Sequence, residues 1–193
     1  MTLKKKYQTK ESAIASYNYT DLAEGTGVTE YFGANNVDNA AASHFLSKNI
    51  TYSNDKITHI ITGGAGDALR LDLDFDLLFN IPARIKGKVR CQIPWVQGHT
   101  TSGNLSGTSY AIVKVRKVTA AGAELEIAQN VKSDTLTVAN LVCEGTVKNV
   151  EVDITSVNLF KEGETLRITI ELWSSGGSSG AKIGLCHDPQ NRV

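Results

Sequence analysis

The sequence has little of what usually announces a chemistry. Its three cysteines, Cys91, Cys143 and Cys186, are odd in number and widely spaced, with no C-x-x-C pair. That excludes a disulfide framework or a structural zinc site by spacing and leaves buried thiols. Net charge is absent too: 20 Lys and Arg balance 20 Asp and Glu, so no global field points to nucleic acid or to an anionic membrane. The clearest basic cluster, Lys4-Lys5-Lys6, reads as a solvated end. No stretch approaches the roughly 20 apolar residues that cross a bilayer, and MTLKKK leads into polar YQTKES rather than a signal-peptide core. Synthesis in a cytoplasm is therefore expected, and the N-x-S/T sequons at Asn18, Asn49 and Asn104 then have no route to a glycan.

Helical periodicity is equally scarce, whereas period-two alternation is plentiful. In residues 69–77, Leu69, Leu71, Leu73, Phe75 and Leu77 alternate with Arg70, Asp72, Asp74 and Asp76, the pattern of a half-buried strand. In residues 84–95, Ile85, Val89, Cys91, Ile93 and Trp95 share a face with Gly87, and Arg84, Lys86, Lys88 and Arg90 share the other. Folded as a hairpin about Asn80, the two strands would set Asp76 against Arg84, Asp74 against Lys86 and Asp72 against Lys88, each pair worth about 0.2 to 1 kcal/mol.

Further strands are expected at 56–62, 110–118, 123–128, 136–142, 147–154 and 165–173, with a short one in the tail after Ala181. Some eight strands between Gly-rich turns indicate an all-β fold: a two-sheet antiparallel sandwich, most simply a jelly roll, with a single barrel or an immunoglobulin-like sandwich as runner-up. The sandwich domain is assigned to residues 56–193. Residues 1–55 read as an extended, partly irregular N-terminal arm, polar and without sustained periodicity, in which Ala40 to Leu46 allow a helix of at most two turns. Tyr17, Tyr19, Tyr31 and Phe32 are amphipathic anchors suited to a partner surface. Packing on the protein's own sandwich is the competing use.

The candidate chemical motifs fail in their contexts. Asp72-x-Asp74-x-Asp76 resembles the start of a calcium loop, but Leu77 and Ala83 stand where its glycine and its final glutamate belong. Gly176-Gly177-Ser178-Ser179-Gly180 has the spacing of a nucleophile elbow but sits in a low-complexity loop rather than between a strand and a helix. His44, His59, His99 and His187 form no metal motif by spacing, and an enzymatic reading would need some of them to converge with carboxylates around an ion. Gly63-Gly64-Ala65-Gly66 lacks the Lys-Ser/Thr of a phosphate loop. Trp95 and Trp173 are both expected in the core. Neither metal nor cofactor is indicated, and no enzyme is expected.

Three short stretches carry a resemblance: residues 17–27 (YNYTDLAEGTG), residues 52–55 (YSND) and residues 187–192 (HDPQNR). In these the chain resembles virion structural proteins of tailed bacteriophages. The resemblance implies a jelly-roll protein on the particle, a head decoration or cement protein that binds the major capsid protein or other virion proteins. It also implies a homo-oligomer, trimeric packing being one form, made in the bacterial host cytoplasm and located on the virion. The rival readings are a tail- or fibre-associated module and a carbohydrate-binding sandwich, the latter using the loops at residues 98–107 and 174–180.

Overall fold

Where apolar and polar side chains alternate, the chain forms strands, and nearly all of its regular structure follows that rule. A computed structural model describes residues 29–38, 41–50, 57–62, 66–99, 107–139, 143–176 and 181–187. Residues from Phe32 onward form one unit, distinct from Met1–Tyr31. Twelve strands are present among the described residues: β1 (Phe32–Asp38), β2 (Ala41–Ser47), β3 (Ile57–Thr62), β4 (Ala68–Leu78), β5 (Ala83–His99), β6 (Gly107–Val118), β7 (Glu124–Glu126), β8 (Val131–Lys132), β9 (Leu136–Val138), β10 (Glu144–Phe160), β11 (Thr165–Gly176) and β12 (Ala181–Cys186).

The large sheet runs β1-β2-β4-β11-β6, and the short strands β7, β8 and β9 return in turn along β6. The small sheet runs β10-β5-β12-β3. From β3 onward the chain crosses between sheets at each long connection, which sets 3-12-5-10 opposite 4-11-6 with its returning strands. This is the strand order of a jelly roll. Its core interleaves Leu71, Leu73, Phe75, Val113, Val115, Ile168 and Leu172 of the large sheet with Ile93, Trp95, Val150, Val152, Ile154, Ile183 and Leu185 of the small one. Burying each such side chain stabilises the fold by about 1.5 to 3 kcal/mol. Trp95 is fully buried, and its Nε1 donates to Ser109 Oγ at 3.0 Å, joining β5 to β6 across the core. One end of the sandwich is closed by Phe79 and Phe160, whose ring centroids are 4.8 Å apart. Beside them Lys117 pairs with Glu164 at 2.6 Å and donates to the Leu159 carbonyl at 2.7 Å.

Several expectations are corrected. The acidic and basic combs do not form a hairpin, because β4 and β5 lie in different sheets and the turn at Asn80 carries the chain across. Asp76 and Asp74 instead face Arg167 and Thr169 of β11, and Lys88 and Arg90 face Asp153 and Glu151 of β10. Ala41–Ser47 is strand, not helix. Its seven residue pairs with β1 supply hairpin hydrogen bonds that outweigh the weak helical preference of a few alanines. Trp173 lies on the outer face of β11, half-buried, because Leu166, Ile168, Ile170 and Leu172 take the inward parity. Leu69 leaves the inner row as well: a bulge at Arg70 brings Leu69 opposite Trp173, and it is 41% exposed.

Two glycines answer local demands. A Cβ on Gly33 would lie 2.9 Å from Phe75 Cε1, so the β1–β2 hairpin approaches the sandwich closely only through a residue without a side chain. Gly87 has φ +113°, beside an irregularity in β10 between Ile154 and Asn158 where two extra residues are accommodated.

Candidate functional site

The residues expected to contact a partner fall at the start of the described structure. Tyr31 and Phe32 are half-buried, and Phe32 opens β1 opposite Ser47. Tyr17 and Tyr19 lie outside the described residues, as do most of the two loops proposed for a sugar and the serine of the elbow-like motif. Behind Phe32 the hairpin attaches to β4 in parallel through two residue pairs, His44 with Phe75 and Phe45 with Asp76.

This attachment is backed by a ring cluster. The His44 ring packs edge-on against Phe75 and against His187, with centroids 5.1 and 5.3 Å apart, and His187 Nε2 lies 2.8 Å from Thr58 Oγ1. The fold thus joins two of the four histidines, at residues 44 and 187, although sequence spacing gave no hint of it. The other two, His59 and His99, pair through their backbones with β12 at Gly184 and Ala181. Among the described residues no group of three His, Cys, Asp or Glu is placed to hold a metal ion.

The outer face of the large sheet is a charge lattice. Arg167 reaches Asp76 at 2.7 Å, Asp74 at 3.1 Å and Glu124 at 2.6 Å, and Arg116 shares Glu124 at 2.8 Å. Thr169 Oγ1 donates to Asp74 at 2.5 Å. Glu171, nearly buried on this outer face, accepts from both Lys114 and Trp173 Nε1. Further along, the Trp173 ring is parallel to that of Tyr110, with centroids 6.3 Å apart, and Lys132 Nζ stands 3.4 Å from the Tyr110 centroid. Both aromatics are half-buried, and Tyr110 donates its hydroxyl to Asp67 at 2.8 Å. Sequence reasoning missed this pair because it placed Trp173 inside.

The outer face of the small sheet is less complete. Lys88 and Arg90 share Glu151, whose carboxyl those hydrogen bonds hold below its ordinary value. Arg84 has Leu159 as its cross-strand partner, and Lys86 stands opposite the irregular residues of β10. Near the other end of this face, Pro94, Val96, Gly145, Val147 and Cys186 line a shallow depression.

The cysteines are all free. Burial pushes the Cys91 thiol up to about 11 and raises that of Cys186, so neither provides a ready thiolate. No helix among the described residues is long and apolar enough to cross a membrane.

No protein-family model matches the chain, and no curated protein matches it. Two crystal structures of a CocE/NonD family hydrolase from Staphylococcus aureus align with it at 16% and 14% identity, each with a TM-score of 0.40. In both cases the alignment covers 84% of this chain but 37% of the hydrolase. The chain therefore spans little more than a third of those structures, and at this level the likeness carries no argument about activity.

Proposed function

We propose that this chain is a non-enzymatic structural protein of a virion, a head decoration or cement protein that attaches through the region of Tyr17, Tyr19, Tyr31 and Phe32. Its partners are the major capsid protein or other virion proteins. The observation that carries this reading is the β1–β2 hairpin. It extends the large sheet of the jelly roll and begins at Phe32, directly after the segment that carries Tyr17, Tyr19 and Tyr31, as an attachment arm requires. The role calls for no active site, metal or cofactor, and for neither nucleic acid nor membrane. The protein is made in the bacterial cytoplasm and resides on the particle.

The test replaces Tyr17, Tyr19, Tyr31 and Phe32 by alanine in the full chain and measures occupancy on purified particles. Occupancy is expected to fall severely. Undiminished binding by the folded variant refutes the arm, and absence of the unaltered chain from particles refutes the virion reading.

The carbohydrate reading keeps one observation in its favour, the parallel Tyr110 and Trp173 rings on an outer sheet face. A pyranose stacking on the covered face of Tyr110 would have to displace Lys132, which ranks this reading second. Glycan binding by the full chain that disappears in Trp173→Ala would reverse the ranking.

A further inference from the structure

Unmatched charges of opposite sign stand on opposite outer faces. On the small sheet, Arg84 and Lys86 are exposed and take no carboxylate among the described residues. The acidic residues of β10 end at Asp153; past Ile154 the strand offers Val157 within the irregularity, 59% exposed, and Leu159 after it, 50% exposed and directly opposite Arg84. This is an apolar patch with a cationic rim, the anatomy of a protein contact.

The large sheet carries its counterpart. Asp72 is exposed and makes no hydrogen bond or ion pair among the described residues. Its cross-strand partner is Glu171, and the neighbouring row on the same face holds Leu69 and Trp173. Partial desolvation, with Asp74 and Glu171 nearby, lifts the carboxyl of the exposed Asp72 above its ordinary value, against the smaller pull of Lys114 and Arg116. Lys114 is held by Glu171, and Asp72 is left without an ion-pair partner among the described residues.

We propose that these two surfaces are the halves of one contact between copies of this chain. Arg84 and Lys86 of one copy meet Asp72 of the next, while Val157 and Leu159 cover Leu69 and the edge of Trp173. The occupant is a second copy because one chain carries both halves, matched in sign and in apolar content, and its zero net charge sets up no general repulsion between copies. Since the halves lie on different sheets, the contact is head-to-tail, and repetition either closes a ring or extends a filament. It goes beyond the virion reading by naming the contact, and it can hold for a chain with no role on a particle.

Sedimentation of the full chain over a wide concentration range tests this. Two variants, Arg84→Glu/Lys86→Glu and Asp72→Lys, change only exposed positions, and near-ultraviolet dichroism of the buried Trp95 checks their folding. The original chain is expected to associate, more weakly as salt rises, and each variant alone to associate at least about tenfold more weakly. An equimolar mixture of the two should regain association, because every contact between unlike variants is matched in sign. A chain that stays monomeric throughout, variants that associate like the original, or a mixture that remains apart would each overturn the proposal.

Discussion

The outer faces of the two sheets use similar numbers of charges to different ends. On the large sheet, one arginine ties together three carboxylates from β4 and β7, and Glu171 holds Lys114 while nearly buried. Its side chains shield one another, so their ion pairs operate in a partly desolvated layer and are costly to break. On the small sheet the pairs of Lys88 and Arg90 with Glu151 are open to water, where ion pairs contribute little to stability. The difference teaches that most of the large-sheet charge is committed to folding, Asp72 apart, whereas the small sheet leaves both charge and apolar area open for an encounter.

The largest effect that would break this contrast is expected at Glu171. Replacing it by alanine strands Lys114 and removes the acceptor of Trp173 Nε1, so stability measured by urea unfolding should fall by about 2 kcal/mol. Loss no larger than that of an exposed residue would show that the large-sheet face is as open as the small one.

A smaller, pH-dependent effect is expected at Glu164, where the two sheets meet at the closed end. The Lys117 ammonium, and after it the backbone amide of Lys161, hold this carboxyl below its ordinary value. The stabilisation is therefore complete at neutral pH and is lost as acid protonates the folded carboxylate. Glu164→Gln should melt at a lower temperature than the original at neutral pH, and the gap should close on acidification through and below the usual carboxylate range. A gap that widens in acid would contradict the assigned pairing.

The smallest effect belongs to Arg84→Ala/Lys86→Ala. Both residues are exposed and without an anionic partner among the described residues. At concentrations where the original chain is monomeric, the thermal midpoint should stay within measurement error of the original. A clear loss would assign them to folding rather than to contact.

Alternation made the sandwich legible: residues 71–75, 111–115, 150–154 and 166–172 carry their apolar side chains where the core requires them. Strand partners were less legible. Asp74 and Lys86 satisfy a hairpin in sequence as well as Asp74 and Arg167 satisfy a pairing of distant strands within the large sheet, because sign and parity do not encode sequence distance. The bulge at Arg70 was invisible for a similar reason, since one extra residue in a ladder leaves the local pattern of leucines unchanged. At Ala41–Ser47, single-segment helical preference was read where pairing with the neighbouring strand β1 decides. The meeting of His44 and His187 depends on the completed jelly roll, and no spacing rule anticipates it.

The attachment of the hairpin also has a mechanical consequence. A pull on the chain ahead of Phe32 is borne by seven residue pairs between β1 and β2 but by two between β2 and β4. The weaker seam lies behind the hairpin, so under load the hairpin peels away whole, with Gly33 sliding off the face of Phe75, before the sandwich yields. Force applied at Phe32 would thus be released at a joint of two residue pairs rather than passed into the longer ladders of the sandwich.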